Sequence, residues 1–541
     1  MGRTARKFPI GVQDFEGLRE DGFLYVDKTE YICHLLNGKA YFLSRPRRFG
    51  KSLLISTLKA FFKGKRELFK GLQIEELLKD DPEAFQEYPV FHFDFNIADY
   101  SVSDRRLTES GTRRMLPVEE VLDAHLRKWE KIYGYDPSNK TLALRFDYLL
   151  KSAREKTGKR AVVLVDEYDK PLLESDSVTD EANQNAFKGF FGVLKSDDEY
   201  LKFVFITGVT KFSKVSIFSD LNQLQDISLD GRYSGICGIT EKEMKESFMP
   251  EIRAMAEKQG MEETECLEKL AQMYDGYHFC HDTAGIYNPY SLLNALSSGE
   301  FDSKWFESGT PGFLIKKLKE TDFDPKIITD GQLHTPRDVL SEYRTDDVNP
   351  VPLFYQTGYI TIKGYDREFR SYELGYPNDE VKYGFLNCLA PMLLRDEKAR
   401  DPLDVRSFVM DIKNGDTDSL RDRLTALFAR IPYPNDGNDK YIERDFQNVI
   451  YITFMLLGQF VHTELHSAKG RADAVVETKD LILLFEFKRD RSAEEALKQI
   501  DEKGYDKPYA ADSHRIIKVG VNFDSEKREL EGWKVKDACQ Q

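Results

Sequence analysis

The sequence lacks several features that would define its class directly. Its six cysteines include no C-x-x-C pair, so neither a disulfide framework nor a cysteine zinc site is indicated, and we expect a reducing compartment. The most apolar run, Val449 to Gly458, is far shorter than a membrane span. The first residues contain no apolar signal-peptide core. These absences predict a cytoplasmic protein with no membrane partner.

Positive charge is also in deficit. The chain of 541 residues has 78 Lys and Arg against 93 Asp and Glu, a formal charge of −15. An acidic total argues against a protein that coats nucleic acid non-specifically, although it allows a local basic cleft. With 41% hydrophobic residues, 27 Tyr and 37 Phe, the chain can bury several cores, which excludes disorder as its main state.

Short apolar runs alternate with helical patterns over the first 220 residues. The runs are Ala40 to Ser44, Val90 to Phe95, Ala161 to Val165 and Lys202 to Thr207. Continuous apolar runs between helices indicate strands buried on both faces of a parallel sheet. We therefore predict an α/β architecture for this part of the chain.

The pattern changes after residue 228. Apolar spacing predicts helices over Glu241 to Met255, Glu262 to Met273 and Tyr441 to Phe460, and the charged segment Asp401 to Arg430 is also predicted to be helical. A strand-like patch is predicted over Val351 to Tyr383, with turns at Gly364 and Pro377-Asn378. A linker is predicted at Pro432 to Asp439. We expect four parts: a nucleotide-binding domain over 1–228, a helical lid over 229–345, a mixed α/β connection over 346–431, and a C-terminal α/β domain over 432–541.

The tripeptide Gly50-Lys51-Ser52 stands between a predicted strand and a predicted helix. A phosphate-binding loop needs backbone N–H groups aimed at phosphates, a lysine on the β/γ oxygens and a hydroxyl on Mg²⁺. Lys51 and Ser52 fit the last two roles, and the helix from Leu53 supplies a positive N-terminus. Arg45 stands where the usual pattern has its first glycine. We predict that the nucleotide contacts Arg47, Arg48, Phe49, Gly50, Lys51, Ser52 and Leu53.

Acids follow a second apolar strand in AVVLVDEYDK. Asp166 is predicted to hold Mg²⁺ together with Ser52, and Glu167 to orient and deprotonate the attacking water. Thr207 and Thr210, at the end of the next strand, are candidate sensors of the γ-phosphate. The simpler alternative is that the acids are solvated strand ends and that the tripeptide arises by chance. Their order and placement together favour the ATP site.

The segments that carry these motifs resemble a known family. FPIGVQDFEGLREDGFLYVDKTEYI, YFLSRPRRFGKSLLISTL and VVLVDEYDKPL, followed by YDGYHF and YNPYSLLNAL, look like the AAA-ATPase-like family of bacterial P-loop proteins. The arginine-rich RPRRFGKS form is typical of that family. The resemblance covers roughly the first three-fifths of the chain and implies an ATP-binding module with a helical lid.

Near the C-terminal end, two strand-like runs flank Lys479-Asp480 in GRADAVVETKDLILLFEFKRD. If that dipeptide is a two-residue hairpin turn, Asp473 faces Glu486, and Lys488 shares the face of Glu486. Two carboxylates can hold Mg²⁺, or Mn²⁺ in its place, with the Phe487 carbonyl as a further ligand, and Lys488 can position the nucleophilic water. A surface cluster of charges is the alternative. However, charges within so apolar a strand are costly unless they serve a metal or a pair.

The spacing Asp473, Glu486-Phe487-Lys488 resembles the PD-(D/E)XK nuclease superfamily, and the surrounding residues look like the nuclease domain commonly fused to AAA-ATPase-like proteins. This resemblance covers roughly the last 110 residues. It implies further site residues: Glu443 or Glu464 upstream, and Gln499 on a helix that starts with a Ser492…Glu495 capping box. Ala472 replaces the usual proline before the first aspartate.

Three other signals favour structural roles. His278, Cys280 and His281 form a tight cluster without an evident fourth zinc ligand. Asn288-Pro289 reads as a helix start, and Asp94 as a polar strand end.

The sequence therefore predicts an ATP-binding and ATP-hydrolysing protein with a Mg²⁺-dependent nuclease domain that acts on nucleic acid, DNA favoured. An alternative from a different class is an ATP-controlled switch that binds a partner through an inactive nuclease fold. A third, weaker hypothesis is an ATPase that remodels a protein partner. The sequence leaves the oligomeric state open.

Overall fold

The computed structural model describes residues 6–100, 115–174, 177–212, 223–305, 321, 326–329, 333–343, 349–393, 404–429, 449–465, 472–509, 514–527 and 529–537. The chain divides into two compact units. The first comprises Met1–Phe323 and Ile327–Val381, and the second comprises Asp324–Lys326 and Lys382–Gln541. The boundaries of the four predicted parts stay a prediction.

A parallel sheet of five described strands organises the first unit, in the order β2-β3-β4-β1-β5. The strands are β1 (Ala40–Ser44), β2 (Val90–Asp94), β3 (Ala161–Asp166), β4 (Leu201–Gly208) and β5 (Leu224–Asp226). Every residue of β3 is buried, as expected for a strand covered on both faces. The four predicted strands are confirmed, and β5 was not foreseen because its sequence, LQD, is short and polar.

Helices precede and follow these strands along the chain. Up to residue 393 they are Phe15–Glu20, Glu30–Leu35, Lys51–Phe62, Gln73–Leu77, Pro117–Tyr133, Leu142–Thr157, Lys170–Leu173, Ser177–Phe191, Val193–Ser196, Glu241–Gln259, Glu263–Tyr274, Pro289–Ser298, Lys326–Thr329, Arg337–Ser341, Val351–Thr357 and Asp379–Leu393, with 3₁₀ turns at Arg66–Phe69, Asp198–Tyr200 and Gly231–Tyr233. No described helix combines the length and apolar character that a membrane crossing requires.

The two helices predicted from Glu241 to Met255 and from Glu262 to Met273 are confirmed. Glu241–Gln259 starts at a reciprocal capping box between Thr240 and Glu243, and it packs with Glu263–Tyr274 and Pro289–Ser298 around a buried apolar cluster. Two short strands, β6 (Ile239–Thr240) and β7 (Ile286–Tyr287), pair antiparallel beside these helices.

The strand-like patch predicted over 351–383 is wrong at both ends. Val351–Thr357 and Asp379–Leu393 are helices, and the strands between them are β9 (Thr361–Asp366) and β10 (Ser371–Gly375). β10 lies between β9 and β8 (His334–Pro336) and pairs antiparallel with both. The first error arises because a short, fully buried apolar helix has no amphipathic period. The turn lies after Asp366, whose carboxylate accepts from two following N–H groups, and not at Gly364.

A mixed sheet in the order β11-β12-β13-β14-β15 forms the centre of the second unit, antiparallel except between β13 and β14. Its strands are β11 (His462–Leu465), β12 (Ala474–Glu477), β13 (Leu481–Arg489), β14 (Arg515–Asp524) and β15 (Glu529–Asp537). The named helices are Val405–Asn414, Thr417–Phe428 and Ala493–Lys503, with a 3₁₀ turn at Lys507–Tyr509.

Two helical predictions in this unit are confirmed in part. Asp401 to Arg430 contains two helices, because Gly415 ends the first one in the left-handed conformation at φ 65°. Residues 449–457 of the predicted helix Tyr441 to Phe460 are helical and buried. The predicted linker Pro432 to Asp439 lies outside the described residues.

Candidate nucleotide and metal sites

The P-loop connects β1 to the helix Lys51–Phe62. Gly50 caps this helix with φ 95°, a left-handed conformation that costs glycine little. The Lys51 side chain is 3% exposed, and its amino group donates to the carbonyls of Arg45 and Pro46 at 3.0 and 3.1 Å. These two carbonyls keep the ammonium group at the loop, where a phosphate can replace them.

Arg45 stands at the position of the usual first glycine, and its side chain is buried in the protein interior. Its side chain is 1% exposed, and its guanidinium donates to the carbonyls of Ser228 and Tyr233 and lies 3.8 Å from the centre of the Phe279 ring. Arg45 is therefore a buried support of the loop, which explains how the pattern tolerates the substitution.

The other loop residues connect the P-loop to the helical part of the same unit. The exposed Arg48 guanidinium lies 3.9 Å from the centre of the Tyr290 ring. The Arg47 carbonyl accepts a 3.1 Å hydrogen bond from the Trp305 indole, and Phe49 packs edge-on against Tyr277 at 4.8 Å. The loop backbone is thus anchored, and Arg47 and Arg48 stand beside it where a phosphate can bind.

Asp166 ends β3 beside the P-loop helix. It is 3% exposed, and its carboxylate accepts a 2.7 Å hydrogen bond from the Thr207 hydroxyl on the neighbouring strand β4. Burial raises the pKa of Asp166, whereas hydrogen bonds from Ser52 and Thr207 and the charge of Lys51 act in the opposite direction. Ser52 and Asp166 are therefore adjacent, as a shared Mg²⁺ ligand set requires.

Glu167 follows Asp166 in a strained conformation with φ 49°. This backbone turn presents the half-buried Glu167 side chain to the same cavity that Lys51 and Ser52 line. Strain of this kind is often kept where a side chain must be aimed at a reaction.

Thr207 and Thr210 are both fully buried, and neither lines that cavity among the residues described. The carboxylate of Asp169 accepts from the Thr210 N–H at 2.6 Å and from its hydroxyl at 2.8 Å. The geometry therefore gives Thr210 a structural role in place of the predicted γ-phosphate contact. Sequence reasoning missed Asp169, although it is the last acid of the DEYD segment.

The cavity above the P-loop has a volume of about 570 Å³. Loop residues and Glu167 form one wall, and apolar residues including Ile10, Val12, Leu24 and Val26 form another, with Tyr290 and Leu293 from the helical part. This volume and an apolar lining with a few charged groups are typical of a nucleotide-sized site.

In the second unit, the predicted hairpin register is confirmed. Ala474 pairs with Phe485 and Glu477 with Ile482, and the Thr478 N–H donates to the Leu481 carbonyl at 2.8 Å, which leaves Lys479-Asp480 at the turn. Extension of this register by one pair places Asp473 opposite Glu486.

Glu486 lies at the centre of the second candidate site. It is 1% exposed, and one carboxylate oxygen, Oε1, accepts from the Lys488 amino group at 2.7 Å and from the Gln499 amide. Among the described residues its other oxygen, Oε2, has no hydrogen-bond partner. Burial, and then the nearby Asp473 charge, raise the pKa of Glu486, whereas Lys488 acts in the opposite direction.

Asp473 is half-buried, and its Oδ2 accepts the Phe487 N–H at 2.8 Å. The N–H and C=O groups of one strand residue point to the same side, so the Phe487 carbonyl faces the edge on which Asp473 lies. An orphaned buried carboxylate oxygen, a second carboxylate and a carbonyl form an oxygen-rich donor set that fits Mg²⁺ or Mn²⁺.

Gln499 reaches the site because the Ser492 hydroxyl caps the helix Ala493–Lys503 by accepting the Glu495 N–H at 3.1 Å. Gln499 also contacts the Tyr505 hydroxyl at 3.3 Å, a neighbour that the sequence did not indicate. Of the upstream candidates, Glu464 is in β11 with its side chain outside the described part, and Glu443 lies outside it altogether.

The remaining signals have structural explanations in the described parts of the chain. The Cys280 thiol donates to Asp282 at 2.8 Å, next to His281, whereas His278 contacts the Thr283 carbonyl at 3.0 Å. The Asn288 side chain caps the helix Pro289–Ser298, as predicted. Asp94 accepts the Asn96 N–H at 2.8 Å, which confirms its reading as a polar strand end.

Comparison with known proteins agrees with both units. A family model described as a predicted AAA-ATPase matches residues 9–218, and a model of the PD-(D/E)XK nuclease superfamily matches residues 442–533. A protein of Azotobacter chroococcum mcd 1, described as an uncharacterized protein in the vnfD 5′ region, is 34% identical over 545 residues. The alignment covers 98% of this chain and 99% of that relative.

Two solved structures overlap the chain weakly. The Aeropyrum pernix ORC1 protein in complex with DNA is 12% identical and covers 68% of this chain and 93% of its own, with a TM-score of 0.24. Drosophila ORC bound to GC-rich DNA and Cdc6 is 8% identical and covers 79% of this chain and 61% of its own, with a TM-score of 0.19.

Proposed function

Because the chain belongs to the family of predicted AAA-ATPases that carry a PD-(D/E)XK nuclease-superfamily domain, we propose that it binds and hydrolyses ATP and cleaves phosphodiester bonds. ATP with Mg²⁺ is bound in the first unit, and the nuclease reaction belongs to the second. We propose DNA as the substrate, Mg²⁺ or Mn²⁺ as the nuclease metal, and the cytoplasm as the compartment.

The nucleotide site supports this proposal through the placement of three side chains. Lys51 holds its ammonium group at the loop and binds the β/γ-phosphates after it leaves the carbonyls of Arg45 and Pro46. Ser52 and Asp166 would hold Mg²⁺, which neutralises charge on the phosphates when it is bound. Arg47 and Arg48 add positive charge at the rim of the cavity, and Thr207 keeps the Asp166 carboxylate in place.

Glu167 is the residue that we assign to hydrolysis. It lines the cavity beside Lys51, and its positive φ aims it there. A carboxylate in this position can accept a proton from the attacking water and orient it toward the γ-phosphate.

The single observation that carries the nuclease proposal is the orphaned Oε2 of Glu486. A buried carboxylate oxygen without a hydrogen-bond partner is costly, and a divalent cation is the ligand that would satisfy it together with Asp473. A bound metal lowers the pKa of water and stabilises charge on a phosphodiester. Lys488 would then position the nucleophilic water, while Gln499 orients the Glu486 carboxylate.

The switch-protein alternative also has an observation in its favour. Lys488 and Gln499 both bond to Oε1 of Glu486, so the metal-free arrangement is already partly satisfied within the protein. A chain that had lost catalysis would retain such an internally bonded site.

A plasmid-nicking assay tests the proposal. The full chain is incubated with supercoiled plasmid, with Mg²⁺ or Mn²⁺, and with or without ATP. We expect metal-dependent nicking that Asp473→Ala abolishes and that Asp480→Ala, a control at the exposed hairpin turn, retains. ATP binding without cleavage of plasmid, linear duplex, single-stranded DNA or RNA would instead favour the switch protein.

A further inference from the structure

A second cavity lies behind the P-loop. We call it the rear cavity; its volume is about 150 Å³, and its walls include Ser44, Arg45, Pro46, Lys211 and Arg337. No described residue lines both this cavity and the larger one above the loop. The rear cavity is therefore a separate space at the ends of β1, β4 and β5.

Cations outnumber anions on its walls. Arg45, Lys211 and Arg337 line the cavity, against a single carboxylate, Asp226. Asp226 is already paired with Lys211 at 3.0 Å. The two arginines thus give the space a net positive potential that favours an anion.

Arg45 is the strongest evidence for a missing partner. Its guanidinium is fully buried and donates only to neutral carbonyls, those of Ser44, Ser228 and Tyr233, while its Nε has no hydrogen-bond partner among the described residues. None of the described carboxylates forms an ion pair with it. Its other neighbours include the Phe279 ring and Asp226, whose carboxylate is paired with Lys211, so the buried charge is short of an anion that a ligand can supply.

Size limits what that ligand can be. The rear cavity has about a quarter of the volume of the cavity above the P-loop, about 150 against about 570 Å³, which favours an anion much smaller than a nucleotide. The Nε of Arg45 can donate one hydrogen bond to a small oxyanion, and the Arg337 guanidinium can donate a pair.

We propose that the rear cavity binds a small oxyanion of phosphate size, held by Arg45 from within and by Arg337 from the exposed side. The site is independent of the nucleotide site but adjoins it, because the carbonyls of Arg45 and Pro46 hold Lys51. An oxyanion in this cavity therefore contacts the segment that positions the P-loop lysine.

Calorimetric titration of the full chain with inorganic phosphate, and separately with sulfate, tests this site. The P-loop is first saturated with a non-hydrolysable ATP analogue and Mg²⁺, so that the added anion cannot bind there. We expect saturable one-to-one binding that Arg337→Glu weakens about tenfold or more, since it places a like charge beside the ligand. Arg337 is exposed, and the melting temperature without phosphate checks that the variant folds.

Arg367→Glu is the matched control, because it makes the same charge change at an exposed residue outside the cavity. We expect it to change the affinity less than about twofold. Absence of saturable binding to the wild type, or equal weakening by the two variants, overturns the proposal. Phosphate binding that the ATP analogue abolishes belongs to the P-loop and also contradicts it.

If the protein does not bind ATP, addition of the analogue releases no heat. In that case Arg337→Glu and Arg367→Glu are compared in a Lys51→Ala background. Selective loss of phosphate binding with Arg337→Glu in that background supports the rear cavity even if the proposed ATPase function is wrong.

Discussion

The Lys488 amino group lies 2.7 Å from Oε1 of Glu486, two residues earlier on the same face of β13. This bond favours the ionised form of Glu486, which burial and the charge of Asp473 disfavour. Any metal at the second site must therefore share Glu486 with a lysine that already holds one of its oxygens. The first two predictions concern the ionisation of Glu486 without metal and the binding of a metal beside Lys488.

Glu486→Gln is expected to stabilise the metal-free protein at neutral pH. The folded pKa of Glu486 is raised above its usual value of 4.5, so its ionisation opposes folding. Below pH 4.5 the carboxyl is neutral in both the folded and the unfolded state, so the wild type is not destabilised relative to the variant. As the pH rises through the folded pKa, the wild type loses folding stability relative to the variant. Melting temperatures in EDTA from about pH 4 to 8 measure the difference.

The control for that series is Glu502→Gln, at an exposed carboxylate of the nearby helix. It should show no growing advantage over the wild type as the pH rises. A Glu486→Gln variant that melts lower than the wild type at pH 7 without metal would mean that the Lys488 bond outweighs burial.

Asp473→Ala and Lys488→Ala should separate metal binding from catalysis. Loss of the Asp473 carboxylate removes a ligand, so the rise in melting temperature caused by Mn²⁺ or Mg²⁺ should disappear. Lys488→Ala removes a competing cation but no metal ligand. The variant should therefore keep the metal-induced rise in melting temperature, and its cleavage rate should fall by about 10²-fold or more. Persistence of the full metal effect in Asp473→Ala would exclude the two-carboxylate site.

Lys51→Ala should weaken ATP binding by roughly 10- to 100-fold, the value of one or two charge-assisted hydrogen bonds. Lys63→Ala, an exposed lysine at the end of the same helix, is the control and should bind normally. Calorimetric titration with ATP and Mg²⁺ measures both. Equal affinities would show that Lys51 stays with its carbonyl partners and does not contact the nucleotide.

Glu167→Gln should retain ATP affinity and lose turnover by about 10²- to 10⁴-fold, because it removes a proton acceptor and keeps the side-chain shape. Glu174→Gln is the matched control, because Glu174 lines the same cavity but does not directly follow β3. It should retain turnover. Phosphate release and nucleotide affinity are measured in parallel. If Glu167→Gln weakens binding as strongly as Lys51→Ala, the assignment of a base is wrong.

Thr210→Val should cost stability, about 1–3 kcal/mol, because it leaves the buried Asp169 carboxylate short of one hydrogen bond. ATP affinity at a temperature where the variant is folded should stay near that of the wild type. Denaturant unfolding measures the first quantity and calorimetry the second. A selective loss of ATP affinity would return Thr210 to the γ-phosphate role.

The features that the sequence predicted are those that depend on local pattern. Four strands of the parallel sheet follow from apolar runs, and the register of β12 and β13 follows from a two-residue turn at Lys479-Asp480. The contact between Gln499 and Glu486 was expected from the nuclease resemblance and a capped helix that positions Gln499. In these cases period, capping or turn geometry decides the structure without distant partners.

Distant partners explain what the sequence did not predict. Arg45 replaces the first glycine of the usual loop pattern, and the carbonyls that hold its side chain lie nearly two hundred residues later in the chain. Asp169 looked like one more acid, but it fixes the end of β4 through Thr210. The helix Val351–Thr357 has no amphipathic period because every residue is buried, so its pattern could not distinguish helix from strand.

The two candidate sites differ in how much of the chain must fold before they exist. Asp473, Glu486 and Gln499 come from one hairpin and the helix after it, and hairpins of this kind close in about 1–10 μs. Lys51, Asp166 and Thr207 converge only after three parallel strands have paired across long loops, which is a slow, high-contact-order process. Competence to bind a metal at the second site is therefore a product of local chain closure, whereas competence to bind a nucleotide reports that β1, β3 and β4 have paired.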